Sequence, residues 1–205
     1  MNKKKIILYG GTFDPVHLGH TNVAAAASEY IQADKLIFVP AKRSPLKKTF
    51  PITSGQNRLN MISLAIANLK NSEVTDYELK GSVPSYTLDT IKHFLDEYGK
   101  HAKIYWLLGA DSIDELPYWH GIKELIDLCN LSVMYRAGFD APEFEKFKDE
   151  FGIARIKKLQ QNIVPTPLID ISSTQIRKRL TTGHNLSDML APEVANYIKT
   201  HNLYR

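Results

Sequence analysis

The sequence predicts an α/β fold in which a Rossmann-like, doubly wound parallel sheet carries helices on both faces. Short, continuous apolar runs at residues 6–9, 36–39 and 103–108 are typical of strands that are buried on both faces. A helical pattern of apolar residues over 18–32 separates the first two runs. The 205 residues suit one domain, 1–205, in which residues from about 172 to 205 form a small helical part.

Residues 6–39 are expected to form a β-α-β unit. The helix begins near Leu18, after a turn that opens with Gly10 and Gly11, and Pro40 ends the second strand. The connection between two such parallel strands crosses over right-handed, so both strands end at the same edge of the sheet. Because ligands bind at this carboxyl edge, functional residues are expected just after each strand.

The rest of the chain continues the alternation of strands and helices. Further strands are predicted at residues 74–79, 103–108, 131–135 and 168–171. Further helices are predicted at residues 53–70, 87–99, 113–128 with a break near Pro117, 143–151, 172–183 and 192–201.

The basic charge is compatible with nucleic acid, and a small polyanionic substrate explains it as well. The chain has a formal net charge of +4, but its 26 Lys and Arg residues are scattered along the sequence. A nucleic-acid interface would concentrate them on one face and place aromatic residues between them. We therefore expect small-molecule partners and no nucleic acid.

Cysteine content and hydropathy predict a cytoplasmic protein without a membrane partner. The one cysteine, Cys129, excludes an internal disulfide, as is usual in a reducing compartment. The apolar run at 6–9 is too short for a signal peptide, and no stretch has the length of a membrane span. The sequence leaves the oligomeric state open, and a homodimer is one option.

The stretch GGTFDPVHLGH, residues 10–20, carries the main functional signal. Glycines lack a Cβ atom and let backbone N–H groups approach an anion at a helix start. His17 and His20 are three residues apart, so a first helical turn makes them neighbours that can both donate to phosphate. The spacing matches neither the dinucleotide fingerprint nor the P-loop. The alternative is a capping histidine beside an ordinary turn.

Three later strand exits carry further polar candidates. Residues 41–53, here called the basic loop, hold four cations, of which Lys42 lies closest to the strand end. Gly109 lets backbone approach a sugar, and the Asp111 carboxylate can accept from sugar hydroxyls. Ser85 lies in the third exit, and both Ser85 and Asp111 have the alternative role of helix cap.

Two further features lie at helix boundaries. Trp119 follows the break at Pro117, where an aromatic ring faces either a cleft or the core. Residues 172–177, SSTQIR, fit a capping box and also an anion site, in which hydroxyls, N–H groups and Arg177 converge on phosphate.

The histidine stretch resembles the signature of nucleotidyltransferases that join a phosphate to the α-phosphorus of a nucleoside triphosphate. Over nearly its whole length the chain is similar to the bacterial nicotinate-nucleotide adenylyltransferases. The motifs that carry this likeness are residues 10–20, 84–87 (PSYT), 109–111 with Leu116 and Trp119, and 171–177 (ISSTQIR). The resemblance implies transfer of the adenylyl group of ATP to the 5′-phosphate of nicotinate mononucleotide, giving deamido-NAD and pyrophosphate in NAD biosynthesis.

The resemblance also implies roles for individual residues. His17 and His20 contact the ATP phosphates and stabilise the transition state, and Arg177 holds the triphosphate from the other side. The other positions implied to bind ATP are Gly10, Gly11, Thr12, Phe13, Gly109, Asp111, Ser173 and Thr174. The positions implied to bind the mononucleotide are Lys42, Ser85, Tyr86, Thr87 and Trp119. Leu46 stands where many members have a histidine, so Lys42 or Lys47 is expected to substitute for it.

The chemistry requires little beyond positioning. A phosphate monoester has a second pKa of about 6 and is largely dianionic at neutral pH, so no general base is needed. Mg²⁺ is expected as cofactor, held mainly by the ATP phosphates and water, without metal ligands from the chain. Two alternatives stay open: an adenylyltransferase for another acceptor, such as nicotinamide mononucleotide or phosphopantetheine, and a nucleotide-sensing module without catalysis.

Overall fold

The computed structural model describes residues 3–134 and 142–205, in which six parallel strands form one sheet of order β3-β2-β1-β4-β5-β6. The strands are β1 (Lys4–Gly11), β2 (Lys35–Pro40), β3 (Ser72–Val74), β4 (Ala102–Gly109), β5 (Asn130–Met134) and β6 (Ile163–Val164). The chain runs outward from β1 to β3, returns to β4 beside β1, and runs outward on the other side. The predicted doubly wound sheet is confirmed.

Helices alternate with these strands. The α-helices are α1 (Leu18–Ile31), α2 (Gly55–Ala65), α3 (Tyr77–Lys80), α4 (Thr87–Tyr98), α5 (Ile122–Leu128), α6 (Lys148–Phe151), α7 (Ile153–Gln160), α8 (Ser173–Thr181) and α9 (Pro192–Thr200). The 3₁₀ segments are Gly99–His101, Ala110–Tyr118 and Glu145–Phe147. Within the described ranges, no helix has the length and apolar character that crossing a membrane requires.

The helices form a layer on each face of the sheet, because successive residues of a buried strand point to opposite faces. On β1, Ile6 and Leu8 pack with α4, α5 and α7 in one core. Ile7 and Tyr9 pack with α1, α2, α8 and α9 in the other core. The helices of the predicted small helical part therefore pack into the same core as α1.

Two predicted strands are wrong. The strand expected at 74–79 ends at Val74, and the residues after it form α3, whose alternating apolar residues imitate a strand. The strand expected at 168–171 does not form. The strand that pairs with β5 is β6, at residues 163–164, before the predicted position. Leu168 is 66% exposed, which is incompatible with a buried strand. Tyr135, predicted at the end of the fifth strand, lies outside the described residues.

Three predicted helices have different limits. Helix α2 ends at Ala65, earlier than expected. The predicted helix at 113–128 is divided into a 3₁₀ segment and α5. The predicted surface helix at 143–151 consists of a 3₁₀ turn followed by α6; Phe144, just before the turn, and Phe151, at the end of α6, are both buried. The many charged residues of this segment suggested a surface helix, but two buried aromatic side chains are enough to hold a short charged segment against the core.

Gly10 and Gly11 are the last residues of β1, where they pair with Val39 and Pro40 of β2. They therefore belong to the strand rather than to the turn. A Cβ atom on Gly10 would lie 2.1 Å from Cζ2 of Trp106 on β4. Packing of this indole ring across the strand end is a sufficient reason for glycine at this position.

We expect Gly10→Ala to destabilise the fold by about 1–3 kcal/mol, because the added methyl group overlaps the Trp106 ring. Trp106→Phe makes room for that methyl group, so the double variant should lose less than the sum of the two single losses. Urea unfolding of all four proteins measures the coupling. Strictly additive losses would contradict the packing account.

Candidate active site

A cleft of about 730 Å³ opens at the carboxyl edge of the sheet, where the chain order reverses between β1 and β4. Open α/β sheets bind ligands at this point. The cleft brings together nearly all the site residues predicted from the sequence. In chain order these are Gly10, Gly11, Thr12, Phe13, His17, His20, Ser85, Tyr86, Thr87, Gly109, Asp111, Trp119, Ser173, Thr174 and Arg177.

The two histidines lie together at the start of α1. His17 is the N-cap residue, and the ring centroids of His17 and His20 are 3.6 Å apart. The N–H of His17 donates to Nδ1 of His20 at 3.2 Å, as one half of a capping box between the two residues. In a neutral imidazole that accepts through Nδ1, Nε2 carries the proton. His20 is therefore held as a hydrogen-bond donor through Nε2.

Phe13 supports His20 from the protein side. Its side chain is 2% exposed, and its ring meets the His20 ring edge-on with centroids 5.0 Å apart. The Tyr9 ring packs against Phe13 in the same way at 5.3 Å. The backbone of Phe13 has a φ of +48°, which few non-glycine residues adopt. The ring thus contributes by fixing the orientation of His20.

Side chains of α8 join this helix to the backbone of residues 12–17, the turn between β1 and α1 that is here called the histidine turn. Ser173 Oγ donates to the carbonyl of Pro15 at 2.9 Å. Arg177 donates to the carbonyl of Asp14 at 2.7 Å and to Thr174 Oγ1 at 3.1 Å. The hydroxyl-rich helix start and its arginine therefore stand beside the histidines, as the anion-site interpretation of the sequence requires.

The structure decides two capping alternatives. Ser172 and Gln175 form the expected capping box at the start of α8, so the structural role of this motif is real. Asp111 is not an N-cap, because Gly109 occupies that position in the 3₁₀ segment. A Cβ atom on Gly109 would lie 2.3 Å from Asp111 Oδ1. This glycine therefore makes room for a carboxylate at the cleft.

The start of α4 and the residues after Pro117 form another wall of the cleft. Tyr86 is the N-cap residue of α4, and its ring lies 4.6 Å from the His120 ring between centroids. Trp119 lines the cleft and is also partly buried against the core, so both environments considered for it apply. His120 was not predicted; its place beside Trp119 was the only signal in the sequence.

Glu78 of α3 lies beneath this wall and was also not predicted. Its side chain is 6% exposed, accepts from Thr90 Oγ1 at 2.7 Å and is hydrogen-bonded to Ser85. Burial raises the pKa of this carboxyl, and the two hydroxyl donors oppose that shift only in part. Ser85 Oγ also accepts from the N–H of Lys42, and the Ser85 N–H donates to the carbonyl of Arg43. This wall of the cleft, here called the Trp119 wall, is thereby connected to the basic loop.

The two lysines considered for the missing loop histidine occupy different positions. Lys42 Nζ donates to the carbonyl of Gly81 at 2.9 Å, and Lys42 does not line the cleft. Lys47 lines the cleft and donates to Thr12 Oγ1 at 3.2 Å. Of the two, the structure brings only Lys47 to the cleft.

Two buried charged residues support the histidine turn, and neither was among the site residues predicted from the sequence. Arg58 is 2% exposed, burial lowers its pKa, and one amino nitrogen donates to the carbonyls of Thr12 and Ala41, both at 2.8 Å. Asp14 is 3% exposed and accepts from the N–H of Ile52 at 2.6 Å. These partners lie between 17 and 46 residues away in the chain, so local spacing carries no signal for them.

Comparison with known proteins identifies related sequences. A family model described as cytidylyltransferase-like matches residues 8–179. A curated relative in Clostridium perfringens, named probable nicotinate-nucleotide adenylyltransferase, is 37% identical, and the match covers 98% of each chain. A relative of the same name in Clostridium tetani is 35% identical over 98% of this chain and 100% of its own.

A solved structure shares the fold. The Plasmodium falciparum nicotinic acid mononucleotide adenylyltransferase complexed with NaAD superposes with a TM-score of 0.77 and 23% identity, over 98% of this chain and 97% of that one. The likeness agrees with the sheet order described above. Because the family model and the relatives match nearly the whole chain, the chain belongs to the cytidylyltransferase-like family and, within it, to the nicotinate-nucleotide adenylyltransferases.

Proposed function

We propose that the chain transfers the adenylyl group of ATP to the 5′-phosphate of nicotinate mononucleotide, and that deamido-NAD and pyrophosphate are the products. The observation that carries the proposal is the shared cleft, in which the histidine pair, the start of α8 and the Trp119 wall surround one volume. The names of the relatives support the same reaction.

ATP is proposed to bind against the histidine turn and α8. His17 and His20 at the start of α1, and Arg177 one turn into α8, line the same cleft. The N–H groups and side-chain donors at these two helix starts favour phosphate. Negative charge develops on the leaving pyrophosphate, and donors that are already in place stabilise it without reorganisation. Gly109, the last residue of β4, and Asp111, two residues later, are proposed to contact the ribose. The remaining positions proposed to contact ATP are Gly10, Gly11, Thr12, Phe13, Ser173 and Thr174.

Nicotinate mononucleotide is proposed to bind at the opposite wall. The Trp119 ring offers a face for stacking the pyridine, and the start of α4 at Tyr86 and Thr87 offers N–H groups for its carboxylate. Lys47 is proposed to contact the phosphate. Lys42 and Ser85 are proposed to act by holding the basic loop against this wall.

The reaction is proposed as an in-line attack of the mononucleotide phosphate on the α-phosphorus of ATP. The attacking dianion needs no general base, so the protein contributes position and charge stabilisation. A bond forms between the phosphate oxygen and the α-phosphorus while the bond to the β-phosphate oxygen breaks.

Mg²⁺ is proposed as the cofactor, with ATP phosphate oxygens and water as its main ligands. In residues 3–134 and 142–205, no group of three or more His, Cys, Asp or Glu side chains is placed to hold a metal ion. Asp111 and Glu115 line the cleft and are oxygen donors of the kind that Mg²⁺ accepts. When bound, the ion neutralises charge on the departing phosphates.

A cytoplasmic location is proposed on the character of Cys129. Its side chain is 2% exposed, and burial raises the pKa of the thiol to about 12. An inert core thiol fits a chain that folds without disulfides in a reducing compartment.

Pyrophosphate release tests the reaction and the acceptor together. With ATP and Mg²⁺, we expect nicotinate mononucleotide to exceed nicotinamide mononucleotide by about tenfold or more in kcat/KM, because the N–H groups proposed to bind the pyridine carboxylate would be left unpaired by the amide. Phosphopantetheine and a reaction without acceptor should give background rates. Pyrophosphate release with another acceptor would overturn the assignment of the Trp119 wall to the pyridine ring. ATP binding without pyrophosphate release would favour a sensing module.

We expect His20→Ala to lower kcat by about 10²–10³-fold while the Kd for ATP changes little, because the Nε2 donor acts on charge that develops in the transition state. Steady-state kinetics and calorimetric titration with ATP separate the two effects. His93→Ala is the matched control, since His93 stacks on Tyr77 outside the cleft. Equal losses in turnover and in ATP binding would contradict the role given to His20.

Glu78 makes stability depend on pH. Its pKa is raised in the folded state, so the proton is bound more tightly there than in the unfolded chain. The wild type should therefore lose stability relative to Glu78→Gln as pH rises above the ordinary glutamate pKa of about 4.3, until the folded carboxyl has ionised. Urea unfolding from pH 4 to 8, in steps of about one unit, measures this difference. Glu29→Gln, at an exposed glutamate of α1, is the control. A difference that does not vary with pH would contradict the assignment.

A further inference from the structure

Tyr204 lies after α9, yet its side chain contacts Asp14, a residue of the histidine turn that lines the cleft. The side chain is 8% exposed, and its hydroxyl donates to Asp14 Oδ1 at 2.6 Å. The φ of Tyr204 is +62°, in the left-handed region that a tyrosine adopts only where its surroundings impose it. The fold therefore holds this hydroxyl at Asp14 in spite of an unfavourable backbone conformation.

The same carboxylate holds the end of the basic loop. Asp14 Oδ1 also accepts from Thr53 Oγ1 at 2.7 Å, and Oδ2 accepts from the N–H of Ile52 at 2.6 Å. The hydroxyl oxygens of Thr53 and Tyr204 are 3.4 Å apart, so both donors converge on one oxygen. Loss of either donor would leave a buried carboxylate with fewer partners, and such a group moves or recruits water to recover them.

The beginning of the basic loop is tied to a different part of the site. Two hydrogen bonds join it to the Trp119 wall. The N–H of Lys42 donates to Ser85 Oγ, and the N–H of Ser85 donates to the carbonyl of Arg43. Between its two ends the loop is largely exposed and lines the cleft. The position of Lys47 in the cleft therefore depends on where both ends are held, and Asp14 holds the second end.

We propose that Tyr204 is a positioning residue for the basic loop. Its hydroxyl orients the Asp14 carboxylate, which fixes the end of the loop and thereby places Lys47 for the phosphate of the acceptor. Tyr204 does not line the cleft, so its effect reaches the substrate only through these groups. The kinetic part of this proposal rests on the proposed function; the structural part does not.

Tyr204→Phe tests the proposal, because it keeps the buried ring and removes only the hydroxyl. In the substrate-free protein, we expect hydrogen exchange of the Ile52 amide to become about tenfold faster or more, since the carboxylate that it bonds is less firmly held. We expect KM for nicotinate mononucleotide to rise about three- to tenfold while kcat changes by less than about twofold. Mass spectrometry of exchanged peptides and steady-state kinetics measure the two effects.

Tyr197→Phe is the matched control. The Tyr197 hydroxyl bonds with Asn57 and Asn60 of α2, so its removal weakens the attachment of α9 without reaching Asp14. Exchange of the Ile52 amide and KM should stay at the wild-type values in this variant. A purely structural role of Tyr204 would instead make the two tyrosine variants alike.

Thr53→Val gives a second route to the same result, because it removes the other hydroxyl donor to Asp14 Oδ1 from the loop side. It should reproduce both changes even if Tyr204→Phe fails to fold. Unchanged Ile52 exchange, equal changes in Tyr197→Phe, or faster exchange with unchanged KM would each overturn the proposal. If another acceptor supports pyrophosphate release, KM is measured with that acceptor, so failure of the proposed function and failure of this proposal give different results.

Discussion

A carboxylate removed from water must find donors for both of its oxygens, and Asp14 finds them in segments that are distant in sequence. The N–H of Ile52 and the hydroxyls of Thr53 and Tyr204 bond its side chain, while Arg177 bonds its backbone carbonyl. The histidine turn, the basic loop, α8 and the segment after α9 are therefore held in one arrangement. Removing the carboxylate would break the hydrogen bonds that join the basic loop and the segment after α9 to the histidine turn, whereas α8 would stay bonded to the backbone of that turn through Ser173 and Arg177.

The sheet explains why this arrangement lies beside a cleft. Between β1 and β4 the chain order reverses, so the connections that leave these neighbouring strands go to opposite faces and leave a gap at the carboxyl edge. Gly10 lets the Trp106 ring pack across the end of β1. Gly109 makes room at the end of β4 for the Asp111 carboxylate. The two glycines thus serve packing around the gap, which the sequence alone could not distinguish from the direct roles expected for them, Gly10 toward phosphate and Gly109 toward a sugar.

The central part of the fold was predictable because it is buried on both faces. In β1, β2 and β4 four or more consecutive residues are buried, and continuous apolar runs of this length are typical of strands buried on both faces. The edge strands lack that signal: β3 has three residues, none of them fully buried, and β6 has two. A short edge strand gains its conformation from one neighbour only, so its own residues specify it weakly. Both wrong strand predictions concern these edges.

The candidate site divides along a similar line. His17 and His20 were predicted because the start of α1 makes them neighbours through local spacing, and Arg177 was predicted because it follows the hydroxyl-rich start of its own helix, α8, by one turn. Arg58 and Tyr204 were not, because each acts on the backbone or side chain of a distant segment, and a single sequence holds no record of such pairs. Groups proposed to contact the substrate could be recognised from local chemistry, whereas groups proposed to position them required the fold. A reaction between two bound phosphates depends mainly on how precisely the reacting groups are held. Residues that position other residues, such as Arg58 and Tyr204, therefore make up a large share of this site.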